Sequence, residues 1–249
     1  MPMLKDRIFT NDEVETWQTV LSTHEKTRKD QVVDIFHSGL ATLDIQANKI
    51  PELWEINDTL EKKSGFSGVY VKGLEDGKSF YPMLAKRLFP VGNFIRDKRD
   101  LSYTPEPDMI HDLYGHIPFL VDNKYADFCQ KIGEKACRYI DDDEKFHQFE
   151  RFFWFTIEFG LVKTADGPHA FGAGIASSLG ECDFALGGGP EIIDFDIELI
   201  INQEFRIDEM QKKLFLLESK GQLYECIDEL VDKVKSCPHS EQLTLEVEL

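Results

Sequence analysis

Long hydrophobic runs are missing from this 249-residue sequence: no stretch approaches the ~20 consecutive apolar residues of a membrane helix, and the N-terminal Met-Pro-Met-Leu-Lys-Asp-Arg has no apolar core of signal-peptide length. A soluble, cytoplasmic protein is expected. Basic charge is scarce as well. Lys and Arg number 28 against 46 Asp and Glu, and the formal charge of −18 repels phosphate backbones and anionic lipid. The richest basic stretch, residues 86–99, is interrupted by Leu88, Phe89, Pro90 and Val91. Neither nucleic acid nor a membrane is therefore expected as a partner. The five cysteines include no Cys-x-x-Cys pair, which leaves no basis for a zinc ribbon, and their odd number and wide spacing speak against a disulfide framework.

With 42% apolar and 12% aromatic residues, the chain can fill a large core, and one domain over 1–249 is the expectation. Thr10-Asn-Asp-Glu13 is a capping-box pattern, so a helix starts there, and the spacing of Trp17, Val20, Leu21 and then Val32, Val33, Ile35 and Phe36 predicts two helices over 11–43. Pro51 opens a short helix with Leu53 and Trp54. Residues 65–73 read as a short strand, 73–77 as a loop, and 80–89 as a helix that stops before Pro90. Phe94, Ile95 and Arg96 form a brief extended segment. Asp108 caps a helix running through two histidines until Gly115 and Pro118 loosen it. Amphipathic helices follow at 124–139 and 143–162. The glycine-rich 167–189 is expected to be mostly loop with a helical turn near 176–184, a helix returns at 222–235, and 243–249 alternates as an edge strand. The fold class is mainly α with a few small β-strands.

Polar residues set in apolar sequence carry the functional signal. His111 and His116 stand in Asp-Met-Ile-His-Asp-Leu-Tyr-Gly-His, and Glu158 interrupts Phe-Phe-Trp-Phe-Thr-Ile. Two imidazoles and one carboxylate suit mononuclear non-haem iron, because that set leaves open positions for O₂ and substrate. A bare carboxylate among aromatics carries a large desolvation cost and needs a cation. A structural ion pair to Arg151 or Lys163 is the bland alternative. The His spacing is wrong for His-Glu-x-x-His zinc proteases. It is also awkward for a regular helix, where residues five apart diverge by about 140°, so a shared metal requires a helix end or a distortion. His147 and His169 read as surface histidines, Gly172-Ala-Gly174 as close backbone packing, and Asp141 to Glu144 as a solvated helix start.

Tyr103-Thr-Pro-Glu-Pro-Asp-Met-Ile-His-Asp-Leu-Tyr-Gly-His-Ile-Pro, Phe153-Trp-Phe-Thr-Ile-Glu-Phe-Gly-Leu and Phe171-Gly-Ala-Gly-Ile-Ala-Ser-Ser-Leu-Gly-Glu occur in that order. They closely resemble the pterin-dependent aromatic amino acid hydroxylases, with similarity continuous over about 66–215. The resemblance implies that family's catalytic-domain fold and a monooxygenase that uses Fe(II), a tetrahydropterin such as tetrahydrobiopterin, and O₂. It implies His111, His116 and Glu158 as iron ligands and catalytic residues. Arg96, Thr104, Trp154 and Ser177 become substrate-binding, and Gly73, Leu74, Phe80 and Asp112 cofactor-binding. Asp112, where the animal enzymes have Glu, points to the short bacterial type. Glu75 and Gly77 depart from the apolar and serine residues of the animal pterin loop. The regulatory domain and tetramerisation tail of the animal proteins have no counterpart, so a monomer or small homo-oligomer acting on small molecules is expected. Trp154 and Ile207 favour phenylalanine; tyrosine or tryptophan hydroxylation, a zinc hydrolase on the same triad, another aromatic oxygenase and a non-catalytic iron- or pterin-binding homologue are the alternatives.

Overall fold

The computed structural model describes residues 8–73, 75–99, 101 and 107–236. The expected strand at 243–249 and the site candidates Leu74 and Thr104 lie outside the described residues. The first helix, α1 (Asn11–Thr27), starts at the expected capping box: the Glu13 amide donates to Thr10 Oγ1 at 3.3 Å and the Thr10 amide to Glu13 Oε2 at 2.9 Å. Helices α2 (Asp34–Thr42) and α3 (Leu53–Ser64) follow, and α3 ends at Gly65, whose φ of +75° lies in the left-handed region that glycine enters without steric cost.

Strand β1 (Ser67–Val71) pairs in parallel with β2 (Leu88–Gly92), and α4 (Gly77–Leu84) makes the crossover. This corrects the expected 80–89 helix at both ends. Asp76 accepts the Ser79 amide at 2.8 Å and starts the helix early, while 88–92 leaves it as a strand. Pro90 is tolerated there because β2 has one neighbour only and its other edge needs no donor.

Helices α5 (Asn123–Ala136) and α6 (Asp143–Phe153) carry the middle of the chain. The expected 143–162 helix does not run through: it widens at Trp154–Glu158, and Gly160 then turns the chain into β3 (Leu161–Thr164). The glycine-rich segment is more ordered than expected, containing β4 (Gly167–Ala170), α7 (Ala173–Ser177) and α8 (Leu179–Leu186). Beyond it come β5 (Glu191–Asp194), α9 (Ile197–Ile201), β6 (Lys213–Leu217), α10 (Lys220–Glu225) and α11 (Ile227–Ser236), the last two dividing the predicted 222–235 helix. The second sheet has the order β4-β3-β6-β5, with β6 parallel to both neighbours. None of the described helices is long and apolar enough to cross a membrane.

His24 of α1 is fully buried, its ring 4.9 Å from that of Tyr114, and neither nitrogen has a hydrogen-bond partner among the described residues. Burial, followed by the charges of Arg28 and Arg96, holds its pKa well below the ordinary 6.5. As pH falls through about 6.5 the unfolded chain binds a proton that the folded chain refuses, so the stability linked to His24 is present above that value and lost below it. Denaturant midpoints at pH 7.5 and 5.5 should therefore differ less in His24→Leu than in the parent protein; an unchanged difference would refute the assignment.

Candidate metal centre and substrate cavity

The two histidines meet through a change of helix type. Residues Ile110–His116 form a π-helical turn in which the Ile117 amide donates to Asp112 O at 3.0 Å, five residues back. Widening the turn brings residues five apart onto one face, which removes the divergence expected of a regular helix. His111 Nε2 and His116 Nε2 stand 3.0 Å apart. A second π turn, Trp154–Glu158, closes with Phe159 N–H on Trp154 O at 2.9 Å and delivers the carboxylate: Glu158 Oε1 is 2.8 Å from His116 Nε2, and Oε2 is 3.5 Å from His111 Nε2.

Packing holds these turns against their poorer hydrogen-bond geometry. Met109, Ile110, Leu113 and Ile117 are fully buried, and burial of each such side chain is worth about 1.5–3 kcal/mol. Gly115 does not fray the helix, as expected from sequence, but admits α7: a Cβ there would fall 2.9 Å from Ser177 Cβ. Gly172 does the same for the second turn, since a Cβ would lie 2.2 Å from the Glu158 carbonyl oxygen. The expectation of close backbone packing at Gly172-Ala-Gly174 holds.

Protonation suits a metal. Burial pulls His111 down to about 4 despite the opposing charge of Glu158. Burial also works to raise the Glu158 carboxyl, but His116 and His111 outweigh it and keep the group below its usual value. His111 Nε2, His116 Nε2 and the Glu158 carboxylate converge within 3.5 Å, the two nitrogens 3.0 Å apart, which is the donor set that a mononuclear metal cation takes. Arg151 pairs with Glu204 and Lys163 with Glu218, so the bland ion-pair explanation of Glu158 fails. Asp112 also comes within 4.8 Å of both imidazoles. Its Oδ2 already accepts the Gly92 amide at 2.7 Å, and burial raises its carboxyl to about 7 against that bond, which makes Glu158 the better ligand.

Ser177 and Arg96 stand one layer behind. The Ser177 hydroxyl donates to Ala173 O at 2.7 Å, so its oxygen, 3.2 Å from His111 Nδ1, is left to accept from Nδ1–H. That fixes the tautomer with the Nε2 lone pair toward His116 and Glu158. Arg96 is buried and forked onto Asp108, Nε to Oδ2 at 2.9 Å and Nη2 to Oδ1 at 2.7 Å; Asp108 Oδ1 also accepts the His111 amide at 3.0 Å, the cap expected of it. Among the described residues Arg96 Nη1 makes no hydrogen bond.

A cavity of about 250 Å³ opens on the triad. Its wall contains the predicted Gly73, Phe80, Asp112 and Trp154 along with all three candidate ligands, whereas Ser177 and Arg96 support it from behind. Sequence reasoning missed Phe205, Phe153 and Glu150. Phe205 stacks on Trp154 with centroids 4.4 Å apart, a contact across about fifty positions that no local pattern announces. Ile207, weighed as a specificity residue, is 46% exposed and not part of the wall. The surface reading suits His147, whose side chain is 61% exposed and hydrogen-bonded to Glu150, whereas His169 is partly buried and bonded to Thr164.

Residues 3–240 match the family described as biopterin-dependent aromatic amino acid hydroxylases. The phenylalanine-4-hydroxylase of Caulobacter vibrioides is 37% identical over 218 residues, covering 87% of this chain and 74% of that protein. That of Chromobacterium violaceum is 34% identical over 226 residues, 90% and 75% of the two chains. The crystal structure of the C. violaceum enzyme with bound iron(III) and oxidised 7,8-dihydrobiopterin aligns with a TM-score of 0.87 at 32% identity, over 96% of this chain and 87% of the other. The cold-active phenylalanine hydroxylase of Colwellia psychrerythraea gives 0.85 at 30% identity, with 94% and 93% covered. A match over nearly the whole chain, with the π-turn triad at its centre, shows that the protein belongs to the biopterin-dependent aromatic amino acid hydroxylase family.

Proposed function

We propose that this protein hydroxylates the ring of phenylalanine to give tyrosine, with ferrous iron held by His111, His116 and Glu158 and a tetrahydropterin as co-substrate. The observation that carries it is the triad: two imidazoles and a carboxylate converge at one end of an aromatic cavity, in a chain whose bacterial relatives are phenylalanine-4-hydroxylases. Iron and pterin, when bound there, supply the activation of O₂ that no side chain provides.

The residues do the positioning. Phe80, braced edge to face by Phe153 at 5.2 Å, offers an aromatic ring in the same cavity as Gly73, which suits a planar pterin. Trp154, stacked on Phe205, faces the triad and suits the substrate ring. Arg96 Nη1 is the donor left over for an amino-acid carboxylate, and the fork to Asp108 holds the guanidinium in place for it. The apolar lining excludes water from the reacting ring. Ser177 orients His111, so Ser177→Ala should weaken iron binding about 10–100-fold by releasing the tautomer. An iron titration with unchanged affinity would remove Ser177 from this role.

The deciding assay supplies anaerobically iron-loaded protein with tetrahydrobiopterin, O₂ and phenylalanine, tyrosine or tryptophan in turn, with products identified by mass spectrometry. Tyrosine formed from phenylalanine supports the assignment; hydroxylation of tryptophan alone overturns the substrate, and no product with iron bound overturns the reaction.

A further inference from the structure

We propose that Glu150, seated over Gly77 and beside Glu75, reads the side chain of the pterin: this part of the cavity takes a pterin whose C6 substituent carries hydroxyl groups and rejects one whose substituent is anionic. The inference rests on the pterin-dependent function proposed above and adds to it a residue that discriminates among pterins by the charge of their substituent. Glu150 lies on α6, and its two oxygens have different surroundings. His147, one turn earlier, holds Oε2, while Oε1 accepts no hydrogen bond among the described residues. Oε1 occupies the space that a side chain at residue 77 would fill: a Cβ on Gly77 would lie 2.2 Å from it and 2.8 Å from Phe146 Cε1. Glycine at 77 therefore lets the carboxylate lean over the cavity, and alanine or serine would displace it.

Glu150, Glu75 and Gly77 line the same cavity as Phe80, so a ring stacked on Phe80 shares that cavity with both carboxylates, and its substituent is placed to meet them. Carboxylates only accept hydrogen bonds, which matches hydroxyl groups. No Lys or Arg is among the described residues lining the cavity, and nearby Lys78 is engaged with Asp143 at 2.8 Å. An anionic substituent would meet like charge with nothing to neutralise it.

The test is calorimetric titration of the iron-loaded protein under argon with three oxidised-ring probes that differ only beyond C6: 6-methyl-7,8-dihydropterin, 7,8-dihydroneopterin and 7,8-dihydroneopterin 3′-phosphate. The protein should bind dihydroneopterin roughly tenfold tighter than the methyl compound, as one charge-assisted hydrogen bond allows, and the phosphate at least about tenfold weaker than dihydroneopterin. Glu150→Gln should keep a reduced hydroxyl preference, its hydrogen bond no longer charge-assisted, and lose most of the phosphate penalty. Glu150→Ala and Gly77→Ala should bring the three affinities together, with iron content and circular dichroism unchanged. Equal affinities in the parent protein, or the parent pattern surviving in Glu150→Ala, would overturn the inference and leave the pterin function intact. Failure of all three probes to bind the iron-loaded parent would overturn the pterin reading and this inference with it.

Discussion

Glu158→Ala should leave a folded protein that does not retain iron and does not turn over. The carboxylate is the anionic member of the triad and stands 2.8 Å and 3.5 Å from the two imidazole nitrogens. Without it, two histidines alone remain to hold Fe(II), and affinity should fall by more than the ~100-fold that loss of an outer-shell partner costs. The backbone at 158 is held independently, by the Phe159–Trp154 bond and by Gly172 packed on its carbonyl, so the variant keeps its circular dichroism. Two readouts separate loss of metal from loss of fold. Iron should co-purify stoichiometrically with the parent and be absent from the variant. Added Fe(II) should raise the parent's Tm, since a ligand that binds only the folded state stabilises it, and leave that of the variant unmoved. Full iron occupancy in Glu158→Ala would show that Asp112, the other carboxylate within reach, takes over, and the triad would have to be redrawn.

Much of this site was legible in the sequence because the physics was local. A histidine pair and a glutamate inside apolar runs announce a cost that something must offset, and Asp108 three residues before His111 is a cap by spacing alone. The kind of turn that brings the histidines together was only half legible. Spacing of five called for a helix end or a distortion, and the tertiary packing of Met109, Ile110, Leu113 and Ile117 selects the second, as a wide turn. The glycines of 167–189 carried a true signal read in two ways: close approach, which holds at Gly172, and loop, which holds at Gly167 and Gly188, whose φ values of +118° and +84° mark turns, but fails at 173–186, which is helical apart from Ser178. Strand β2 was hidden by Pro90, which a local rule treats as a helix stop and an edge strand accepts. Phe205 and Glu150 reach the cavity through pairings with Trp154 and Gly77 that no window along the chain contains.

Arg96 was read as a substrate contact, and its environment makes it a structural group as well, with a large effect attached. Its side chain is 4% exposed and that of Asp108 is not exposed at all. Burial works to raise the Asp108 carboxyl, but the guanidinium, with the His111 and Arg96 amides, outweighs it and holds the group below its usual value, so the pair is ionised at neutral pH. Asp108→Ala strands a buried guanidinium and should cost about 3–5 kcal/mol of stability, measured as a lowered denaturant midpoint with an unchanged slope. It also frees the His111 amide, so the residual folded fraction should bind iron less well. Replacing both partners by apolar residues of similar size, Arg96→Met with Asp108→Leu, removes the stranded charge and should recover part of that stability, the remainder being lost with the Arg96 and His111 amides that Asp108 accepts. If Arg96 Nη1 is the donor for the amino-acid carboxylate, the double variant should regain its fold yet still show a KM for phenylalanine raised roughly tenfold or more, as loss of a charge-assisted bond requires. Recovery of stability together with a normal KM would make Arg96 a structural partner of Asp108 alone, and the amino-acid carboxylate would then need another partner along the cavity.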